Sequence, residues 1–335
     1  MCRDNALSII FSLVFMPGIA AVAIAEDLPD YADPVIWRSS VMAAEPSPRE
    51  TAIAQLGKQL FFDPRLSADN TMSCASCHKP DKGWSDGEKS PLDRHGVRIG
   101  RATPGLLNLS EHTVFMWDGR SDNLVDQAAL PITSPREMNM DLDALVLRLR
   151  NIPVYKTGFT ALYDDGVTAR NLQHAIAGFE KTLVSGDSVF SDWVAGDKQA
   201  MNAQQQLGFE LFIDPQKGNC VVCHHPPGFT DNGFHNLGLV NLQQENADLG
   251  RFNIRPVAVL KGAFRTPGLK DIELTAPYFH DGSADSLDSV MDYYIKGGRH
   301  QSDVSPNFKP LDINQQEKQA LVAFLKALTS RDAGR

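Results

Sequence analysis

Cys74-Ala75-Ser76-Cys77-His78 recurs as Cys220-Val221-Val222-Cys223-His224, and these two stretches decide how the chain is read. Each is a Cys-x-x-Cys-His motif, the pattern through which c-type haem is attached. The chemistry needs that spacing, because two thiols add across the two porphyrin vinyl groups and the adjacent histidine then lies under the iron. Cys-x-x-Cys pairs also build zinc sites and thioredoxin-like dithiol centres. A zinc site sets its pairs roughly 15–20 residues apart, whereas here most of a domain separates them. Two haems on one chain imply redox work, with zinc or dithiol chemistry as the competing reading.

The 335-residue chain opens on an apolar run from Ala6 to Ile24, ending in Ala23-Ile24-Ala25 ahead of Glu26-Asp27. This reads as a signal peptide over residues 1–25 and places the mature protein in the periplasm. An uncleaved membrane anchor is the alternative, since the run is long and Arg3 is offset by Asp4. Cys2 precedes the run and is not positioned as a lipid acceptor. Beyond this segment four cysteines remain, all within the two motifs, so none is left for a structural disulfide. The balance of 41 acidic against 32 basic residues gives a net charge of −9. That argues against nucleic acid as a partner, and suits either ordinary solubility or a basic redox partner.

The chain also repeats itself. Gln55-Leu56-Gly57 with Leu60-Phe61-Phe62-Asp63-Pro64 leads into the first motif, and Gln206-Leu207-Gly208 with Leu211-Phe212-Ile213-Asp214-Pro215 into the second. Thr103-Pro104-Gly105-Leu106 then matches Thr266-Pro267-Gly268-Leu269, and Asp118-Gly119 matches Asp281-Gly282, both at one common offset. The expected fold is mainly α: two cytochrome-c-like haem domains, residues 26–195 and 196–335, with the boundary near 186–204. Each crevice ends in an Asp-Gly turn followed by a helix. Leu142, Leu145, Val146 and Leu149 recur at helical spacing, as do Leu321, Phe324, Leu325 and Leu328 within 313–328. Residues 79–99 and 226–256, rich in Gly, Pro, Asp and Asn, read as long loops, and no sheet is expected.

The same offset makes the two haems unequal. The helix after Asp281-Gly282 carries Met291 and Tyr294, which at a separation of three share one face, so either can reach an iron. Their counterparts are Ala128 and Pro131, which ligate nothing. An iron with an open position can bind peroxide, whereas one closed on both sides passes electrons or stores oxidising equivalents. The N-terminal haem, on His78, is therefore the expected reactive one, and the C-terminal haem, on His224, the six-coordinate one. His95, in the polar loop Asp93-Arg94-His95-Gly96, is the side chain able to close the first iron in a resting state.

These residues, with Phe115-Met116-Trp117-Asp118-Gly119-Arg120, Pro135-Arg136-Glu137-Met138-Asn139 and Leu274-Thr275-Ala276-Pro277-Tyr278-Phe279-His280, resemble the bacterial dihaem cytochrome c peroxidase and MauG superfamily over essentially the whole mature chain. The resemblance implies that Trp117 lies between the haems as an electron relay. It also implies that Gln127, Pro131 and Glu137 line the peroxide-binding pocket, with Glu137 moving a proton between the peroxide oxygens. A calcium ion between the haems would be held by the backbone of Thr275 and Pro277, but the family's asparagine there is Ala102. At the second iron the resemblance selects Tyr294, the MauG-like choice, over Met291. A phenolate is a hard anionic donor that favours oxidised iron, where a thioether favours reduced iron.

The function so implied is that of an exported haem enzyme that uses hydrogen peroxide to reach a high-valent iron state and oxidises a residue, a tryptophan, of a partner protein. The alternative is a cytochrome c peroxidase reducing peroxide to water with electrons from a small cytochrome or cupredoxin. A third reading is a dihaem electron carrier without catalysis.

Overall fold

Local signals start and stop the helices much as capping chemistry dictates. The computed structural model describes residues 29–38, 45–300 and 303–332; the proposed signal peptide lies outside them. Helix α1 (Pro48–Phe61) begins at Ser47, whose hydroxyl takes the Glu50 amide while Glu50 reaches back to the Ser47 amide. Short helices α2 (Leu124–Gln127) and α3 (Ala129–Thr133) follow a long irregular stretch. Then come α4 (Leu142–Arg150), α5 (Pro153–Leu162) and α6 (Ala169–Glu180). Helix α7 (Val189–Ala195) falls in the segment where the domain boundary is expected, and sends Phe190 and Val194 inward. Helix α8 (Ala203–Ile213) is boxed by Asn202 and Gln205, and α10 (Gln315–Ala327) by Asn314 and Glu317. Between them α9 (Leu287–Lys296) starts at Ser286 and stops at Gly297, whose positive φ closes the helix in the left-handed region.

The apolar stripes bury where the periodicity places them. One core gathers residues between Ile53 and Leu183; a second gathers those between Phe190 and Leu328 and also takes Trp37, which precedes α1. The described residues from Tyr31 onward pack as one unit. The chain is mostly helical, but a sheet does exist: β1 (Phe234–His235) pairs antiparallel with β2 (Phe264–Arg265). Two-residue strands carry no alternation for a sequence reading to detect. No helix among the described residues is long and apolar enough to cross a membrane.

Both cores are built on a helix crossing at glycine. A Cβ on Gly57 would lie 1.8 Å from the Ala175 carbonyl oxygen of α6, and one on Gly208 would lie 2.0 Å from that of Ala320 on α10. Only the missing side chain lets these backbones touch. The Asp-Gly turns match as well. Phe115 pairs with Ser121 around Met116 and Gly119 at positive φ, and Tyr278 pairs with Ala284 around Phe279 and Gly282 at positive φ.

Candidate active site

Each Cys-x-x-Cys-His motif folds into one 3₁₀ turn, Cys74–Ser76 and Cys220–Val222, with the histidine amide bonded back to the first cysteine carbonyl. The histidines are oriented alike. His78 Nδ1 donates to the Trp84 carbonyl and His224 Nδ1 to the Phe229 carbonyl, both at 2.8 Å. A carbonyl on Nδ1 fixes the tautomer and leaves Nε2 bare as a ligand atom. Burial lowers the pKa of both imidazoles, so each stays neutral and able to ligate. Phe61 and Phe212, matching positions ahead of the motifs, pack on His78 and His224 with ring centroids 6.3 and 6.5 Å apart.

The four cysteines are unpaired. Burial pushes the Cys77 thiol up to about 11 and Cys220 up to about 12, and raises Cys74 further.

Around the second motif the chain leaves a cavity of about 260 Å³ lined by Cys220, Cys223, His224, Met291 and Tyr294, and reaching Trp117. Met291 is buried in the core, whereas the Tyr294 hydroxyl makes no hydrogen bond to any described residue. Burial first, then the nearby Cys220 and Cys223, hold the phenol well above its ordinary pKa. A cationic metal is what would reverse that shift. Arg265 supplies a second sign of a missing anionic group. It is 7% exposed, its Nε has no partner, and Nη1 meets only His112 and the Thr266 carbonyl. A buried guanidinium without a carboxylate is costly, and haem carries propionates able to pair with it. The residues present therefore fit a haem.

The first site is assembled from one continuous stretch and the motif. Cys74 packs against the core that holds Leu124, Ala128, Ile132 and Met138. Gln127 closes α2 and its Nε2 donates to Met116 Sδ at 3.6 Å, tying it to the turn that carries Trp117. Pro131 lies in α3, and its carbonyl accepts the Met138 amide, closing the turn that carries Glu137. Glu137 is half-buried and close enough to raise the pKa of both Cys74 and Cys77. His95 is exposed on a turn whose amides are gathered by Asp93, and that turn is tied to Arg136, the neighbour of Glu137.

Trp117 joins the halves. Its indole donates to the Ala102 carbonyl at 2.8 Å, and its own carbonyl accepts the Arg265 amide at 2.9 Å. Nearby, Arg101 bridges Asp118 and Asp248, each at 2.7 Å. Thr275 and Pro277 line the same cavity as Ala102, but Ala102 contributes only a methyl group where a hard cation wants six to eight oxygens. These residues do not make a convincing calcium cage. The one cluster of potential metal-ligating side chains among the described residues is Cys223, Asp231 and His235, a different set.

Sequence reading missed Arg265 and also Glu180. Glu180 ends α6 fully buried, its Oε2 without a partner, and burial pushes it up to about 8. The signal was available in principle, as a lone glutamate inside the apolar stripe of Ile176 and Phe179.

A helical unit with two Cys-x-x-Cys-His turns, matched proximal histidines and a tryptophan between them defines a dihaem c-type oxidoreductase. The comparisons agree. A family described as di-haem cytochrome c peroxidase matches residues 51–199. The methylamine utilization protein MauG of Methylorubrum extorquens is 43% identical over 282 residues, covering 83% of this chain and 78% of that protein. The cytochrome c551 peroxidase of Nitrosomonas europaea is 35% identical over 286 residues, covering 84% and 81%. The crystal structure of a MauG-like protein associated with microbial copper homeostasis has 29% identity and a TM-score of 0.79, covering 92% of this chain and 97% of that one. The chain belongs to the dihaem cytochrome c peroxidase and MauG family, and is a haem oxidoreductase of the peroxidase type.

Proposed function

We propose that this protein is a MauG-like enzyme, exported to the periplasm through residues 1–25, which uses hydrogen peroxide to oxidise a residue, a tryptophan, of a partner protein. The observation that carries the reading is Tyr294, an unpartnered phenol facing the second cavity beside Cys220, Cys223 and His224. Two cytochrome-c-like domains, 26–195 and 196–335, related by an internal repeat, would each attach one haem through its motif. When bound, the haems supply the redox chemistry: two electrons leave the partner residue and the peroxide O–O bond is cleaved to two waters.

The chain's own residues do the rest. Glu137 holds a proton near the first site and moves it between the peroxide oxygens, a positioned acid–base group being worth ~10²–10⁴ in rate. Gln127, fixed to Met116, orients the peroxide, and Pro131 keeps a ligating side chain out. Trp117, hydrogen-bonded to both halves, couples the two sites. Tyr294 provides the oxygen donor that suits the second site to holding oxidising equivalents. A calcium ion at Thr275 and Pro277 has no part in these steps.

Mixing the fully oxidised holoprotein with one equivalent of peroxide tests the reading. Persistent absorption changes without a prior reductant are expected. A requirement for half-reduction first would overturn it in favour of peroxide detoxification, the activity that the names of the cytochrome c peroxidase relatives favour.

A further inference from the structure

One surface stands apart from the rest of this acidic molecule. Among the described residues ten large hydrophobic side chains are exposed, and three of them, Ile254, Val257 and Val259, fall within six positions of one loop. Val259 is the barest, at 69% exposed. The same loop is locally basic: from Arg251 to Lys261 it carries Arg251, Arg255 and Lys261 and no acid, Arg255 and Lys261 being exposed, although the chain's net charge is −9. Arg255 and Lys261 have no carboxylate partner among the described residues. Lys261 instead lies over the Phe252 ring, 5.3 Å from its centroid.

The base of this loop is fastened to the Trp117 turn. Arg251 Nη1 donates to the carbonyls of Asp118 at 3.0 Å and Gly119 at 2.5 Å, with its guanidinium over Phe234. Gly119 has no room for a side chain there: a Cβ would meet Phe234 at 2.3 Å and Arg251 at 2.7 Å. At the other end the Arg265 amide donates to the Trp117 carbonyl, and the Arg251 amide to Ala263 at 2.8 Å closes the loop's neck. A rigid neck on Trp117 thus presents an apolar tip edged by cations.

We propose that Arg251–Lys261 is the docking surface for the protein that gives up electrons to this enzyme, a partner presenting an apolar patch rimmed by carboxylates. The inference rests on the reading that electrons come from a protein, and adds where that protein sits and what its surface is. Apolar side chains in the centre of such a patch supply contact energy, and the cations on its edge steer an acidic partner and set its salt dependence. The electron then enters over the Trp117 turn, the residue that joins the two sites. Each peroxide takes two electrons and two protons to give two waters, so two single-electron encounters, or one two-electron oxidation of a partner residue, complete a turnover.

The test uses the holoenzyme with two probes: a reduced acidic cupredoxin that carries its own apolar patch, and a reduced basic single-haem cytochrome c. Stopped-flow oxidation of each is compared for the native enzyme, Arg255→Glu/Lys261→Glu and Val257→Asp/Val259→Asp. The native enzyme should oxidise the acidic probe at least tenfold faster than the basic one at low salt. Charge reversal should invert that preference, and the aspartates should slow the acidic probe at least tenfold at every salt concentration. Peroxide turnover with a small-molecule reductant should be unchanged in both variants. Intact small-molecule turnover with protein-probe rates unchanged within twofold overturns the docking surface and leaves the enzymatic reading standing. No turnover with any reductant overturns the enzymatic reading, and docking is then read from binding of the acidic probe, which the variants must abolish for the proposal to hold. Sedimentation that shows a dimer dissolved by Val257→Asp/Val259→Asp assigns the patch to a second copy and also overturns it.

Discussion

The two haem-binding halves agree on one side of the motif and part company on the other. Each holds its histidine by Nδ1 against a carbonyl at 2.8 Å, backs it with a phenylalanine from the helix before the motif, and packs that helix on a second one at a glycine. The surroundings then diverge, to Gln127, Pro131 and Glu137 in one half and to Met291 and Tyr294 in the other. The histidine supports are thus alike in the two halves, while the side chains that follow the two Asp-Gly turns differ.

That contrast breaks most visibly at Tyr294. Tyr294→Phe keeps the ring packing on Phe279 and Phe308 and removes only the oxygen, so the second site's absorption spectrum should change and the reaction of the oxidised protein with peroxide should be lost. Retention of that reaction would return Met291 to the axial role. Glu137→Gln keeps the shape around the first site without the transferable proton. Stopped-flow measurement of peroxide cleavage should show a slowing of about 10²–10³, with both spectra intact.

Glu180 offers a sharper contrast, because the second half's buried carboxyl, Asp271, accepts hydrogen bonds from Ser185 and Ser330, whereas Glu180 Oε2 has no partner. Burial raises it to about 8 from its ordinary 4.5. Below the lower value it is protonated in the folded and the unfolded chain alike. Between the two, the unfolded chain ionises it while the fold holds it neutral, so stability should fall as pH rises, by up to about 5 kcal/mol, and level off above the upper value. Chemical denaturation of Glu180→Gln holoprotein across this window should lack that slope; parallel profiles for the two proteins would show that the carboxyl finds a partner. The smallest effect is expected at Met291→Leu, a volume-conserving change in the second core. It should cost less than about 1.5 kcal/mol and leave the spectra of both sites unchanged.

Much of the fold was legible because its signals are local. The stripe Leu142, Leu145, Val146 and Leu149 became α4, and Leu321 to Leu325 became the inner face of α10. Ser47 with Glu50 and Asn314 with Glu317 mark helix starts for the same reason. The motifs revealed the histidines, but not that Trp84 and Phe229 supply the carbonyls that orient them, since those come from backbone geometry beyond the motif. Arg265 and Arg101 act through partners more than a hundred positions away, His112 and Asp248, and no spacing rule reaches that far. His95, a side chain chemically suited to iron, lies exposed on the turn around Asp93.

The glycine crossings carry a last consequence, one of inheritance. Because the α1–α6 and α8–α10 pairs meet backbone to backbone, the width of each crevice is set by two positions that take no part in any reaction. Drift elsewhere on those four helices exchanges one apolar side chain for another and leaves the width alone. Residues 57 and 208 have no such freedom, so the two frames stay alike while the side chains around them differ.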